Sequence, residues 1–403
     1  MRIALFGARG IPHTYSGTET FFGELAPRLA ERGHEVIVYC RRSLFRERPS
    51  TYRGVRLIYL PSIETKTLST PTHTLACMFD VLFRKVDVML VTNVANTMHC
   101  LVPRLFGKKV ALNVDGVEWK RSKWSALGRS YFYWNARLAG RICPDGIITD
   151  AVAMQRVYLE EFGTRSVCMA YGANIERSAN PDAVRRYNLE PFQFYLVASR
   201  LVPENSADLI IKGFERLGGN KILAIAGDAN YRSSFVDSLK KTRDSRVRFL
   251  GHVADSDDVK ELHCNCYAYI HGHSVGGTNP ALLKALGYGN CVLALNTPFN
   301  REVVAEHGIL FENDPADLAA KLRYLEEHPE EVARYRERAP QRIIEEYSWD
   351  HVTDQYEDFF ARLVAEEYPA LDCELGMYVP KQKVAATAGI LADTLEERLP
   401  MRS

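Results

Sequence analysis

Short apolar runs recur along this chain, each followed by a glycine-containing turn and then by a stretch whose apolar residues return every three or four positions. Such runs predict buried strands, and the spacing after them predicts amphipathic helices. Strands are expected at 2–6, 35–39, 55–60, 87–91, 109–114 and 146–149. Phe21, Phe22, Leu25 and Leu29 lie at helical spacing in a helix from Thr18 to Arg32, which Gly33-His34 ends. After the turn-forming cluster Asn180-Pro181-Asp182 the same grammar restarts. Strands are expected there at 194–198, 221–226, 246–250, 267–271 and 291–295, with helices at 206–218, 231–242 and 256–264. Helices at 315–327, 329–346 and 349–366 follow, and the stretch 371–403 reads as a weakly patterned, peripheral tail. Short buried strands alternating with helices predict parallel, doubly wound sheets. At 403 residues the chain is too long for one ordinary core. The expected fold is therefore α/β with two Rossmann-like domains, 1–185 and 186–347.

The stretch from Tyr267 to Glu302 concentrates these signals. A strand ending at His271 leads into Val275-Gly276-Gly277-Thr278-Asn279-Pro280 and then a short apolar helix. Two glycines permit close backbone approach, Thr278 or Asn279 can cap, and Pro280 suits the first helical position. A helix start above a sheet leaves N–H groups free for an anion such as a phosphate; an ordinary tight βα turn is the other reading.

Composition narrows the picture. A hydrophobic share of 46% with 25% charged residues is ordinary for a soluble globular protein. No run approaches the ~20 apolar residues of a membrane span, and too few precede Gly7 for a secretory leader. Nine scattered cysteines without a C-x-x-C pair predict reduced thiols, no zinc and a cytoplasmic setting. The net charge of +1 hides an asymmetry: residues 1–190 hold 27 Lys and Arg against 17 Asp and Glu. A basic N-terminal half suggests an anionic partner, although a solvated surface has the same signature.

Ligands of doubly wound domains bind at the carboxyl ends of strands, so a cleft between the two domains is the expected site. Arg200 follows the first strand of the second half, where a guanidinium suits bidentate phosphate contact. Gly227-Asp228 and Gly251-His252 follow the next two strands. In the first half, Asp115 stands just past a strand, as a carboxylate facing the site or as a cap, with Glu118 close by. Asp255-Ser256-Asp257 matches the D-x-D of metal-dependent sugar transferases, yet its place before a helix favours capping. His271-Gly272-His273 lacks an evident third ligand, so positioning or structure is favoured over zinc. Between Trp119 and Arg141, bases alternate with Trp124, Tyr131, Phe132, Tyr133 and Trp134. This pattern suits an anionic membrane surface, and equally a helix with its aromatics in the core.

Four stretches together resemble the retaining GT-B glycosyltransferases of glycosyltransferase family four, most closely the bacterial rhamnosyltransferase-like subgroup of surface-polysaccharide assembly. They are GARGIPHTYSGTETFFGELAPRLAERGHEVIVYCR, NVDGVEWKRSKW, ASRLVPENSADLIIKGF and HGHSVGGTNPALLKALGYG. Tyr347-Ser348-Trp349-Asp350 resembles the point where a last helix, here 348–370, crosses back to the N-terminal domain. The resemblance implies an NDP-sugar donor on the C-terminal domain, an acceptor on the N-terminal one, retention of configuration, and no metal or other cofactor. It implies that Gly17 lies near the donor phosphates, that Arg200 contacts the diphosphate, and that Gly277, Thr278 and Asn279 offer it N–H groups. Asp115 falls where many relatives have a catalytic-site histidine.

The chain departs from the pattern twice. The usual lysine after the arginine is Asn205, and the usual pair of glutamates is Gly276 and Lys284. Lys284 is expected to reach the donor and replace the cation missing at Asn205. The expected activity is transfer of a sugar to a lipid-linked or saccharide acceptor at the cytoplasmic membrane face, with no nucleic-acid partner. The two departures also fit a catalytically degenerate nucleotide- or sugar-binding protein. A Rossmann oxidoreductase is weaker, because G-x-G-x-x-G is missing.

Overall fold

The structure, a computed structural model, describes residues 1–12, 17–65, 68–121, 124–143, 145–228, 233–368 and 374–380. The chain divides into two compact units. The first comprises Met1–Trp119, Trp124–Ala170 and the chain from Asp350; the second comprises Lys120–Lys123 and Tyr171–Trp349. Unit 2 begins ahead of the seam expected near residue 185. The approach segment is tied to unit 2: Ser178 and the Ala179 and Asn180 amides donate to Glu261, and Tyr187 donates to Asp258.

Unit 1 holds an eight-stranded sheet of β1 (Arg2–Phe6), β2 (Glu35–Arg41), β3 (Thr51–Tyr52), β4 (Val55–Leu60), β5 (Val88–Thr92), β6 (Lys109–Asn113), β7 (Ile147–Thr149) and β8 (Val167–Cys168). Their spatial order is β3-β4-β2-β1-β5-β6-β7-β8, parallel throughout except for the β3–β4 pair. The sequence pattern missed β8, which has only two residues. The helices are α1 (Gly17–Glu31), α2 (Ser69–Leu82), α3 (Leu101–Leu105), α4 (Ala126–Ile142) and α5 (Val152–Phe162). Right-handed crossovers put α1 on one face of the sheet and α2 to α5 on the other.

Unit 2 repeats the plan with β9 (Phe194–Ala198), β10 (Ile222–Ala226), β11 (Val247–Gly251), β12 (Ala268–His271), β13 (Val292–Leu295) and β14 (Ile309–Phe311). They are ordered β11-β10-β9-β12-β13-β14. Around them lie α6 (Ala207–Phe214), α7 (Ser234–Leu239), α8 (Ser256–Asn265), α9 (Pro280–Gly287), α10 (Pro298–Val304), α11 (Pro315–Glu327) and α12 (Pro329–Arg342). Tyr195, Leu196, Leu223, Ile225, Tyr269, Ile270 and Leu293 are buried on both sheet faces, as parallel strands require. Asp255 caps α8, accepting from the Asp257 and Asp258 amides, so the D-x-D match is a helix cap.

The last helix, α13 (Trp349–Val364), passes from unit 2 into unit 1 at its first turn. There Glu357 pairs with Arg32 and His34, and Tyr356 packs on Phe21 at 5.2 Å. The described part of the tail is not peripheral: Tyr378 is buried, its amide donates to the Cys168 carbonyl, and Met377 bridges β8. The remainder of the stretch 371–403 lies outside the described residues.

Candidate functional site

In unit 2 the strand order reverses between β9 and β12, because β9 runs outward to β10 and the chain later returns to β9's other side. Such a switch point is where doubly wound sheets take ligands. Arg200 stands exposed past β9, and His273 past β12. Gly227 and the exposed His252 follow β10 and β11 on the same edge. Gly227 has a structural reason of its own: with φ of +142°, a Cβ there would lie 1.9 Å from the Ser199 carbonyl oxygen.

Beside the switch point, a small open pocket is lined by His273, Gly276, Gly277, Asn279, Thr297 and Asn300, among others. Its walls are fixed by hydrogen bonds. Ser274 donates through both its amide and its hydroxyl to the Glu204 carbonyl, at 2.8 and 2.9 Å. The Asn300 amide group reaches the His273 and Leu295 carbonyls at 2.8 and 2.9 Å. Asn279 caps α9 by accepting from the Ala281 amide at 2.9 Å. The start of α9 thus opens on the pocket with its dipole positive toward it.

Below the pocket the His271 and His273 rings stack 4.2 Å apart, and Tyr269 lies 3.1 Å from His271 Nδ1. Burial, then Arg200 and Arg121, push His273 down to about 3. His271 is pushed down by burial and its histidine neighbours. Both rings are therefore neutral near pH 7 and offer hydrogen bonds rather than charge.

Arg121 is the residue that sequence reasoning missed. It stood in the basic, aromatic run read equally as a membrane surface or a core helix, yet Lys120 and Arg121 belong to unit 2. A Cβ built on Gly276 would lie 3.6 Å from the Arg121 guanidinium. Arg121 thus stands beside the glycine turn, and Arg121 and Arg200 both act on His273, which lines the same pocket. The sequence held no signal for this, since some 150 residues separate Arg121 from Gly276.

Lys284, expected to replace the missing cation, is exposed on α9 one turn beyond the cap; like Arg200 and Arg121, it is not among the residues lining the pocket. Asn205 is buried, and its side chain donates to the Arg200 carbonyl at 2.7 Å. Thr278 is buried behind the turn.

In unit 1, Asp115 follows β6 with a left-handed φ of +49°. Its amide donates to Asn113 Oδ1 at 3.1 Å, and Asn113 in turn donates to the buried Tyr356 hydroxyl at 3.0 Å. The last helix thereby orients Asp115. Glu118 is buried and accepts from Trp124 Nε1 at 2.7 Å, so it is committed to structure. Burial and four carboxylates, Asp150, Asp115, Glu161 and Glu118, push the Tyr158 phenol up. Gly17 opens α1; the loop 13–16 before it lies outside the described residues. Trp119 and Phe132 are buried, so those aromatics of the expected membrane segment belong to the core.

Residues 183–342 match the family model described as glycosyl transferases group 1, and residues 70–174 match a domain of unknown function, DUF1972. No curated protein matches the chain. Among solved structures, the chain is similar to a sucrose-phosphate synthase from Thermosynechococcus elongatus, at a TM-score of 0.74 and 14% identity over 90% of this chain and 99% of that one. It is also similar to Anabaena Alr3699/HepE in complex with UDP, at 0.72 and 15% over 89% and 99%. A third is a mutant of S. aureus TarM in complex with Fondaparinux, alpha-GlcNAc-glycerol and UDP, at 0.57 and 15% over 72% and 59%. These likenesses carry the GT-B fold, and with the group 1 match the chain is a glycosyltransferase.

Proposed function

We propose that this glycosyltransferase moves a sugar from a nucleoside diphosphate, without a metal, to a lipid-linked or saccharide acceptor in bacterial surface-polysaccharide assembly. The observation that carries the donor half is that Arg121 and the start of α9 meet at one glycine turn at the unit 2 switch point, with Arg200 and Arg121 both acting on the neighbouring His273. Charge builds on the diphosphate as the glycosidic bond breaks. Fixed guanidinium groups and backbone N–H donors stabilise that charge without reorganising. UDP in the HepE and TarM structures supports a uridine nucleotide as the first donor to test. Motif resemblance supports retention of configuration and a deoxyhexose such as rhamnose.

A membrane-borne acceptor draws support from the α2–α4 face of unit 1. Phe83, Leu105, Phe106, Leu127 and Trp134 are exposed by 89, 75, 70, 85 and 54%. Lys85, Arg129, Arg137 and Arg141 are exposed on the same elements or beside them. Exposed apolar side chains with exposed cations near them in the chain suit an anionic bilayer.

The test is a panel of nucleotides and NDP-sugars read by thermal shift and by turnover, with vesicle co-sedimentation alongside. One NDP-sugar should be both bound and consumed, and Arg200→Ala should weaken its binding about ten-fold or more. Anionic vesicles should pull the protein down and neutral ones should not, with binding lost as salt rises. No bound or consumed NDP-sugar would end the donor half of the proposal. Equal binding to both vesicle types would end the membrane half.

A further inference from the structure

Arg41 ends β2 at the carboxyl edge of the unit 1 sheet, where a ligand of that unit would lie. It is only 6% exposed. One guanidinium nitrogen donates to Thr70 Oγ1 at 2.7 Å, in the first turn of α2, while Nε is buried without a partner. Arg41 pairs with no carboxylate among the described residues. Glu64 and Glu19 act on it from farther off, and both are engaged elsewhere, Glu64 by Ser43 and Ser62 and Glu19 by the Arg9 amide. Arg9, whose carbonyl accepts from the Arg41 amide, adds a second positive charge nearby. His73, one turn into α2, is buried and pushed down to about 4 by burial and then by Arg41, so it is neutral near pH 7.

A buried guanidinium that no carboxylate touches is costly unless an anion completes it. In the first turn of α2 the Ser69 and Thr72 amides already donate to the Thr65 and Leu68 carbonyls and Pro71 has no N–H, so this turn offers the Thr70 hydroxyl rather than a row of free amides. We infer that Arg41 and the Thr70 hydroxyl bind an oxyanion carried by the acceptor, either a phosphate ester or a sugar carboxylate. This rests on reading unit 1 as the acceptor side. The acceptor would then be an anionic molecule rather than a neutral saccharide.

The test titrates the full chain with inorganic phosphate and, separately, with glucuronate, following melting temperature and heat of binding. Wild type, Arg41→Gln and Arg41→Lys are compared, each with and without UDP to occupy unit 2. Wild type should bind at least one anion, and should bind it as well when UDP is present. Arg41→Gln should bind it about ten-fold or more weakly. Arg41→Lys keeps the charge but loses the fork, and should fall between them. A response to phosphate alone identifies a phosphate ester; a response to glucuronate alone identifies a carboxylate. The inference is overturned if wild type binds neither anion, or if both Arg41 variants bind as tightly as wild type. It is also overturned if UDP removes the binding, which would then belong to unit 2. The nucleotide panel reads unit 2 independently, so failure of the donor reading is visible as a separate result.

Discussion

At the carboxyl edge of the unit 2 sheet the ligand-facing groups are an exposed arginine, a glycine turn and a capped helix start, most of them from one βα unit. At the same edge of unit 1, Arg41 and His73 are buried, and Asp115 is held half-buried by a relay through Asn113 and Tyr356. The first edge is built to meet a mobile, highly charged ligand with preformed donors. The second has its polar groups fixed by the fold before any ligand arrives. A charge in water is cheap to keep and weak in effect, whereas a buried one is costly and strong. Chemistry that depends on a single group is therefore expected from unit 1, and divided electrostatic grip from unit 2.

The largest effect should come from Asp115→Asn. If Asp115 receives the acceptor's hydrogen bond or proton, turnover should drop by about 10²–10⁴-fold with nucleotide binding unchanged. A stable variant turning over at the normal rate would leave unit 1 without a single decisive group. Next is Arg121→Ala, which should weaken nucleoside diphosphate binding by about 1.5–3 kcal/mol in a titration, the worth of a charged hydrogen bond. Unchanged affinity would leave Arg200 as the only arginine holding the diphosphate. The smallest effect should be that of Lys284→Ala, within about 0.5 kcal/mol, as is usual for an exposed side chain away from a contact. A Lys284 loss larger than the Arg121 loss would restore Lys284 as the replacement cation and move the grip of unit 2 onto α9.

Strands such as 2–6 and 194–198 were legible because β-branched, apolar runs report burial locally, and Asn279-Pro280 was legible because capping needs only neighbours. Helix α10 and strand β14 escaped because seven- and three-residue elements carry too little periodicity. Trp119 and Phe132 were ambiguous for a physical reason: an amphipathic helix has the same pattern whether its apolar side meets lipid or a sheet. The site was legible where a turn and its helix supply it together. Arg121 and Arg41 were not, since each acquires its meaning from partners on another element, Gly276 for one and Thr70 for the other.

Asn205 has a consequence for the history of this chain. Its side chain holds the Arg200 carbonyl, and its own carbonyl oxygen lies 2.5 Å from where a Cβ on Gly272 would stand. A lysine restored at this position would have no carboxamide to give Arg200, and would have to leave a buried place to reach a phosphate. The reversion should therefore harm the present protein even though the family pattern carries that lysine. Position 205 and the Arg200 loop are coupled, and their substitutions should be non-additive in a double-mutant cycle. A lysine at position 205 should be tolerated only if the loop changes with it.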